Sequence, residues 1–207
     1  MLGQKKVNAK SVYGKDYYDY QINRGGVRKM VRRLYLSHLL KLIVGRSVDF
    51  GCGAGELLRR LPRGSIGLDI NKHIVEYCQS NGLEVSQYDP DQDRYRFRNL
   101  KKGCFKTFIM SHVLEHIMEA DKVLRAVALA GERLGWQRII IVVPGRRGFD
   151  SDETHKVFID RDYLLRKRLD RIGVYEIEIA KYFPLNIKNA GNYFCHNELV
   201  VVYERKN

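Results

Sequence analysis

The densest chemistry in the chain is a glycine-rich run, Asp49-Phe50-Gly51-Cys52-Gly53-Ala54-Gly55-Glu56. Glycines at this spacing let the backbone turn sharply and come close to a ligand, because no Cβ stands in the way. Spacing also separates the ligands that such a loop can take. A nicotinamide fingerprint wants G-x-G-x-x-G or A, and here the third glycine comes one residue early, with Glu56 in the expected slot. A phosphate loop wants G-K-S or G-K-T after its glycines, and no such triplet follows. Asp49, the acid that opens the turn, is awkward for pyrophosphate and suits a ligand bearing a cationic group.

Other reactive types are scattered. His112 and His116 lie in Ser111-His112-Val113-Leu114-Glu115-His116, and His155 lies in Asp152-Glu153-Thr154-His155-Lys156. The four cysteines, Cys52, Cys78, Cys104 and Cys195, include no pair at C-x-x-C spacing. They give zinc little support, and no metal is expected. Free thiols in a reducing compartment are the expectation. The formal charge is +13, from 37 Lys and Arg against 24 Asp and Glu. Such a field attracts polyanions and leaves a nucleic-acid partner open beside an ordinary basic, solvated surface.

These residues need elements to hold them. Through residue 45, Val27, Met30, Val31, Leu34, Leu39, Leu42 and Ile43 recur at helical spacing, with Arg28, Lys29, Arg32, Arg33 and Lys41 mostly off that stripe. From Arg46 the pattern becomes strand and helix in alternation. Strands are expected at 47–50, 65–70, 83–88, 105–111, 138–143, 174–183 and 198–205. Helices are expected at 56–61, 71–81, 114–134 (beginning late, near Ala120) and 160–173. Asn71 is a plausible cap and Gly82 a terminator. Residues 89–103 show no convincing period. The run 138–143 is β-branched throughout, as in a strand buried on both faces. The expected fold is therefore α/β: a Rossmann-like, doubly wound, seven-stranded, mostly parallel sheet with an antiparallel C-terminal hairpin and helices on both faces. Residues 1–45 are expected to be a helical extension or lid, and 46–207 one domain.

Asp49-x-Gly51-x-Gly53-x-Gly55 resembles the first motif of class I S-adenosylmethionine-dependent methyltransferases, and the resemblance extends over about residues 46–206. It implies S-adenosylmethionine as cofactor, with Asp49, Gly51, Cys52, Gly53 and Gly55 around its methionine part. Asp69, at the end of the second expected strand, matches the family's ribose-binding acid, since a carboxylate there can accept both ribose hydroxyls. Ile70 would pack on the adenine. Asp89 would meet the adenine amino group, with Gln87 and Tyr88 as rivals and an Asx turn with Pro90 as the alternative. Ser111-His112-Val113-Leu114-Glu115-His116 resembles the fourth-motif segment of small-molecule and glycan methyltransferases, which puts Ser111 and His112 beside the methyl group. Tyr13, Tyr17 and Tyr18 resemble a Tyr-rich lid, with Tyr17 taken as a cofactor contact.

The acceptor side is thinner. His155 follows the fifth strand, at the end of the sheet where ligands bind; it serves either as a base for an oxygen or nitrogen acceptor or as a loop anchor. His112 and His155 are the catalytic candidates, and His116 reads as structural. No N-P-P-Y or D-P-P-Y follows the fourth strand, which disfavours adenine methylation in nucleic acid. The leading expectation is methyl transfer to an oxygen or nitrogen of a small-molecule, sugar or lipid acceptor. The alternatives are an RNA methyltransferase, using Arg28, Lys29, Arg32, Arg33, Arg94, Arg96, Arg98, Lys101 and Lys102 with Tyr95 and Phe97 interleaved, or a non-catalytic cofactor-binding protein. Apolar runs are too short to span a bilayer and the first residues carry no apolar leader, so a cytoplasmic protein is expected. Oligomeric state is not assigned.

Overall fold

The computed structural model describes residues 34–187, 190–191, 193 and 197–206. Tyr13, Tyr17, Tyr18, the basic residues 28–33 and Cys195 lie outside the described residues. The chain enters as a helix, α1 (34–40), and runs through β1 (Ser47–Phe50), β2 (Ile66–Asp69), α2 (Lys72–Ser80), β3 (Val85–Gln87), α3 (Pro90–Asp93) and β4 (Thr107–Ser111). It continues through α4 (Ala120–Leu134), β5 (Arg138–Val143), α5 (Arg146–Asp150), α6 (Arg161–Arg166), β6 (Arg171–Ile172), β7 (Tyr175–Phe183) and β8 (Glu198–Arg205).

The strands form one sheet in the order β3-β2-β1-β4-β5-β8-β7-β6. Strands β1 to β5 are mutually parallel, and β8 runs antiparallel to both β5 and β7. The alternation of side chains along the central strands sorts the core into two layers. Phe108, Met110, Ile139, Ile141, Val143, Val201 and Tyr203 face one layer, closed by Val123, Leu124 and Val127 of α4 together with Tyr163 and Leu164 of α6. Ile109, Ile140, Val142, Val200 and Val202 face the other, closed by Tyr35, Leu36 and Leu39 of α1 and by Ile74, Val75 and Cys78 of α2. This is the doubly wound arrangement expected from the sequence.

Four details differ from expectation, each for a local reason. The sheet has eight strands, not seven. The extra strand comes from the expected helix 160–173, which stops at Arg166. Arg168 turns left-handed (φ 50°) and the Leu169 N–H donates back to the Leu164 carbonyl, so the last residues leave as β6. The expected helix 56–61 is a single 3-10 turn, Leu58–Arg60, because Leu61 must be extended ahead of Pro62. Residues 89–103 hold α3 and then three left-handed residues, Arg94, Tyr95 and Phe97, which explains the missing period. Phe97 is buried against Phe108 and Trp136, while Arg94, Arg96 and Arg98 point to solvent. The aromatics that looked available for stacking on bases are therefore core, or packed on it.

Two expected signals hold as read. Helix α4 begins at Ala120. The Asn71 side chain accepts from the N–H groups of His73 and Ile74, and Gly82 closes α2 with φ 73°. Losing a cap of this kind costs about 1 kcal/mol. Asn71→Ala is therefore expected to lower the unfolding free energy by about that much in urea titration, with the slope unchanged.

Candidate functional site

The carboxyl ends of β1, β2 and β4 lie side by side, and the chain leaves each of them through the residues singled out in the sequence. After β1 the backbone turns at once. The N–H groups of Gly51 and Cys52 both reach the Leu68 carbonyl, at 2.7 and 3.3 Å, and Gly55 N–H closes on the Cys52 carbonyl at 3.0 Å. Gly51, Gly53 and Gly55 all have positive φ, at 72°, 50° and 75°. That alternation is what the three glycines are for. Space matters as well: a Cβ on Gly51 would lie 2.4 Å from Val113 Cγ2. The turn after β1 is thus pressed against the segment that follows β4.

Asp69 ties this turn to its neighbour. Its two oxygens accept from Gly53 N–H at 3.0 Å and from Asn71 N–H at 2.9 Å. Burial pushes its carboxyl above the ordinary value of 3.8, against the backbone N–H groups of Asn71, Gly53 and Ile70, which favour the charge. A carboxylate held at this place, with lone pairs left over, fits a ribose diol. Asp49 is buried at the end of β1, and Ile70 is half-buried beside Asp69. Asp89 caps α3, accepting from Asp91 and Gln92 N–H, the Asx-type turn that the sequence offered as the alternative to an adenine contact.

The other wall is built after β4. The Ser111 hydroxyl meets the Tyr35 hydroxyl of α1 at 2.6 Å. His112 follows in a left-handed conformation (φ 57°), a costly one for a non-glycine residue. Its Nδ1 lies 3.4 Å from Glu115 Oε1 and its Nε2 lies 3.2 Å from Glu198 Oε1. Burial disfavours its charge, but the Glu198 and Glu115 carboxylates outweigh burial and push its pKa up to about 10. It is an imidazolium at neutral pH and so a poor base.

His155 comes from the loop between α5 and α6. It sits at 8% side-chain exposure, stacked on Phe149, with Nδ1 2.7 Å from the Phe149 carbonyl and Nε2 3.9 Å from both Glu115 Oε1 and Asp152 Oδ2. The loop is pinned where the N–H groups of Lys156 and Val157 donate to the Glu115 carbonyl. His116 packs against His155, ring centroids 4.7 Å apart, and burial lowers its pKa. The structure thus brings His112, His116 and His155 together around Glu115. Sequence reading passed over Glu115 and Glu198. The available signal was His112-x-x-Glu115-His116, a spacing that zinc enzymes use on a helix.

A groove of about 240 Å³ lined by Leu58, Pro62, Gly64 and Glu84 opens at the amino ends of β2 and β3, the opposite edge from these residues.

Comparison with known proteins agrees with this geometry. Residues 34–146, more than half of the chain, match the family model described as methionine biosynthesis protein MetW. The chain is 30% identical over 107 residues to the ubiquinone biosynthesis O-methyltransferase of Xanthomonas oryzae pv. oryzae, covering 47% of this chain and 43% of that protein. It therefore spans less than half the length of the curated relatives it matches. Among solved structures, the magnesium protoporphyrin IX methyltransferase of Synechocystis PCC 6803 with bound SAH superposes with a TM-score of 0.68 at 14% identity, covering 98% of this chain and all of that one. A SAM-dependent methyltransferase from Archaeoglobus fulgidus gives 0.62 at 19% identity, covering 91% and 99%. The fold is that of the class I S-adenosylmethionine-dependent methyltransferases. No helix among the described residues is long and apolar enough to cross a membrane.

Gly51→Ala tests the packing of the turn. It is expected to cost about 2–4 kcal/mol, combining left-handed strain with overpacking. Val113→Ala in that background should return the overpacking share and leave about 1–2 kcal/mol, as read by denaturant titration of the single and double variants.

Proposed function

The chain belongs to the MetW family, and we propose that it is an S-adenosylmethionine-dependent methyltransferase acting on an oxygen or nitrogen of a small-molecule, sugar or lipid acceptor. The observation that carries the reading is the Asp69 carboxylate, held between Gly53 and Asn71 N–H at the mouth of a turn that only glycines can form. In this reading Asp69 receives the ribose hydroxyls, Ile70 and Asp89 flank the adenine, and Asp49, Gly51, Cys52, Gly53 and Gly55 surround the methionine part. Ser111 lies beside the reacting end. When bound, the cofactor supplies an electrophilic methyl group on a sulfonium.

What remains for the protein is alignment, exclusion of water and removal of a proton. His112, protonated between Glu198 and Glu115, donates and positions rather than accepts. The proposed proton acceptor is His155 Nε2, since Nδ1 is committed to the Phe149 carbonyl. The curated O-methyltransferase relative supports a small acceptor. The net charge of +13 supports an anionic one, such as a phosphorylated compound.

Calorimetry with S-adenosylmethionine tests the reading. Asp69→Ala is expected to weaken binding tenfold or more, and exposed Asp91→Ala to leave it unchanged. Equal binding by wild type and Asp69→Ala would place the cofactor elsewhere. Strong cofactor binding without turnover on any acceptor would favour the non-catalytic alternative, and steeply salt-dependent binding of bulk RNA the nucleic-acid one. The raised pKa of Asp69 sets the direction of pH dependence. Affinity should fall as pH drops through a value above 3.8, because the neutral carboxyl accepts more weakly, and that fall should be absent in Asp69→Asn.

A further inference from the structure

We propose that Glu115, His116 and His155 form a site for one divalent transition-metal cation beside the reacting end of the cofactor. One ligand atom from each residue lies within 4.8 Å of the others, so small side-chain rotations would bring all three onto a single ion at bonding distances of about 2.0–2.2 Å. Sequence reading expected no metal, because it looked for cysteine pairs.

Proximity alone would be weak, but two independent features suit the site to a cation. The first is Glu115. Its side chain is fully buried, and neither carboxylate oxygen makes a hydrogen bond among the described residues. The nearest cation, His112 Nδ1, stands 3.4 Å from Oε1 without hydrogen-bond alignment and leaves Oε2 unserved. A buried carboxylate with no aligned donor is strongly disfavoured unless it holds an ion.

The second feature is the way both rings are oriented. The Phe149 carbonyl can only accept, so His155 Nδ1 carries the proton at 2.7 Å. The Thr154 hydroxyl donates to Asp152 Oδ1 at 2.6 Å, so its oxygen accepts from His116 Nδ1 at 3.0 Å. The Thr154 carbonyl, 3.4 Å from the same nitrogen, can only accept as well. Both rings are therefore donors at Nδ1, and His155 Nε2, 3.9 Å from Glu115 Oε1, is the nitrogen left facing the carboxylate. A carbonyl or an acid-backed hydroxyl on the far nitrogen is how proteins orient histidine ligands.

Two imidazoles and one carboxylate suit zinc, cobalt, iron(II) or manganese rather than calcium or magnesium. Three protein ligands leave an open position, the mark of a catalytic site rather than a structural one. Resting on the methyltransferase reading, this narrows the acceptor to a hydroxyl that can bind the ion. The coordinated hydroxyl gives its proton to solvent, its oxygen attacks the methyl carbon, the new C–O bond forms as the C–S bond breaks, and S-adenosylhomocysteine leaves. With the ion bound, His155 is a ligand and not a base.

The test is titration of the chelator-treated full chain with Co²⁺, read by visible absorption and calorimetry. One ion per chain is expected, with Glu115→Gln and His155→Ala each weakening binding at least about 100-fold. His73→Ala, at an exposed histidine on α2, should bind as wild type does. X-ray absorption of the wild-type cobalt complex should show two imidazole ligands, a result that needs no variant to fold. S-adenosylmethionine binding is measured on the same samples. Cobalt bound without cofactor would sink the methyltransferase reading and leave the metal site standing. Cofactor bound with no stoichiometric cobalt, or cobalt held equally by Glu115→Gln and His155→Ala, would overturn the site.

Discussion

A carboxylate at the end of one strand holds in place the turn after a neighbouring strand and the start of the helix that follows its own. Asp69 accepts from Gly53 in the turn after β1 and from Asn71 at the cap of α2. Asn71 in turn accepts from the first turn of that helix. Each of these backbone N–H groups would otherwise be an orphan donor near the rim of the sheet. One side chain thus fixes the turn, the helix start and the angle between them. The turn then leans on Val113, and Val113 leads into the 3-10 turn that carries Glu115 and His116. The two halves of the proposed site, cofactor side and acceptor side, are joined by van der Waals contact rather than by a shared loop.

The acceptor side obeys a different economy. Glu115, Glu198 and Asp152 gather around three imidazoles in a partly dry corner. One histidine answers two carboxylates as an imidazolium, while the other two are oriented through Nδ1 by a threonine and a carbonyl. Burying acids without donors is a cost that folding alone would remove by substitution. At Glu115 the proposed metal site would account for that cost.

Much of this was legible in the sequence because it rests on local rules. The three positive-φ glycines, the acid ending β2, the Asn71 cap and the late start of α4 all follow from spacing. The antiparallel pairing of β7 with β8 followed from the lack of a helix between the last two strands. What escaped reading depended on distant partners. Residues 94–98 alternate arginine with aromatic, and only the buried neighbours Phe108 and Trp136 decide that Phe97 turns inward. Glu115 looks like an ordinary helix-entry acid until His155, brought in by a separate loop, is seen against it. His116 reads as structural from sequence because its hydrogen-bond partner is Thr154, on that same distant loop.

The hydroxyl contact between Tyr35 and Ser111 has a consequence for how the molecule responds to its cofactor. Tyr35 belongs to α1, outside the strand-helix repeat, yet it is bonded to a residue that the proposed reading puts at the reacting end. Whatever settles Ser111 also settles α1, and whatever frays α1 loosens Ser111. Occupancy of the pocket and order in the entry helix are therefore thermodynamically linked, each raising the free energy needed to lose the other. The supply of methyl donor would then be registered not only in turnover but in how tightly α1 is held.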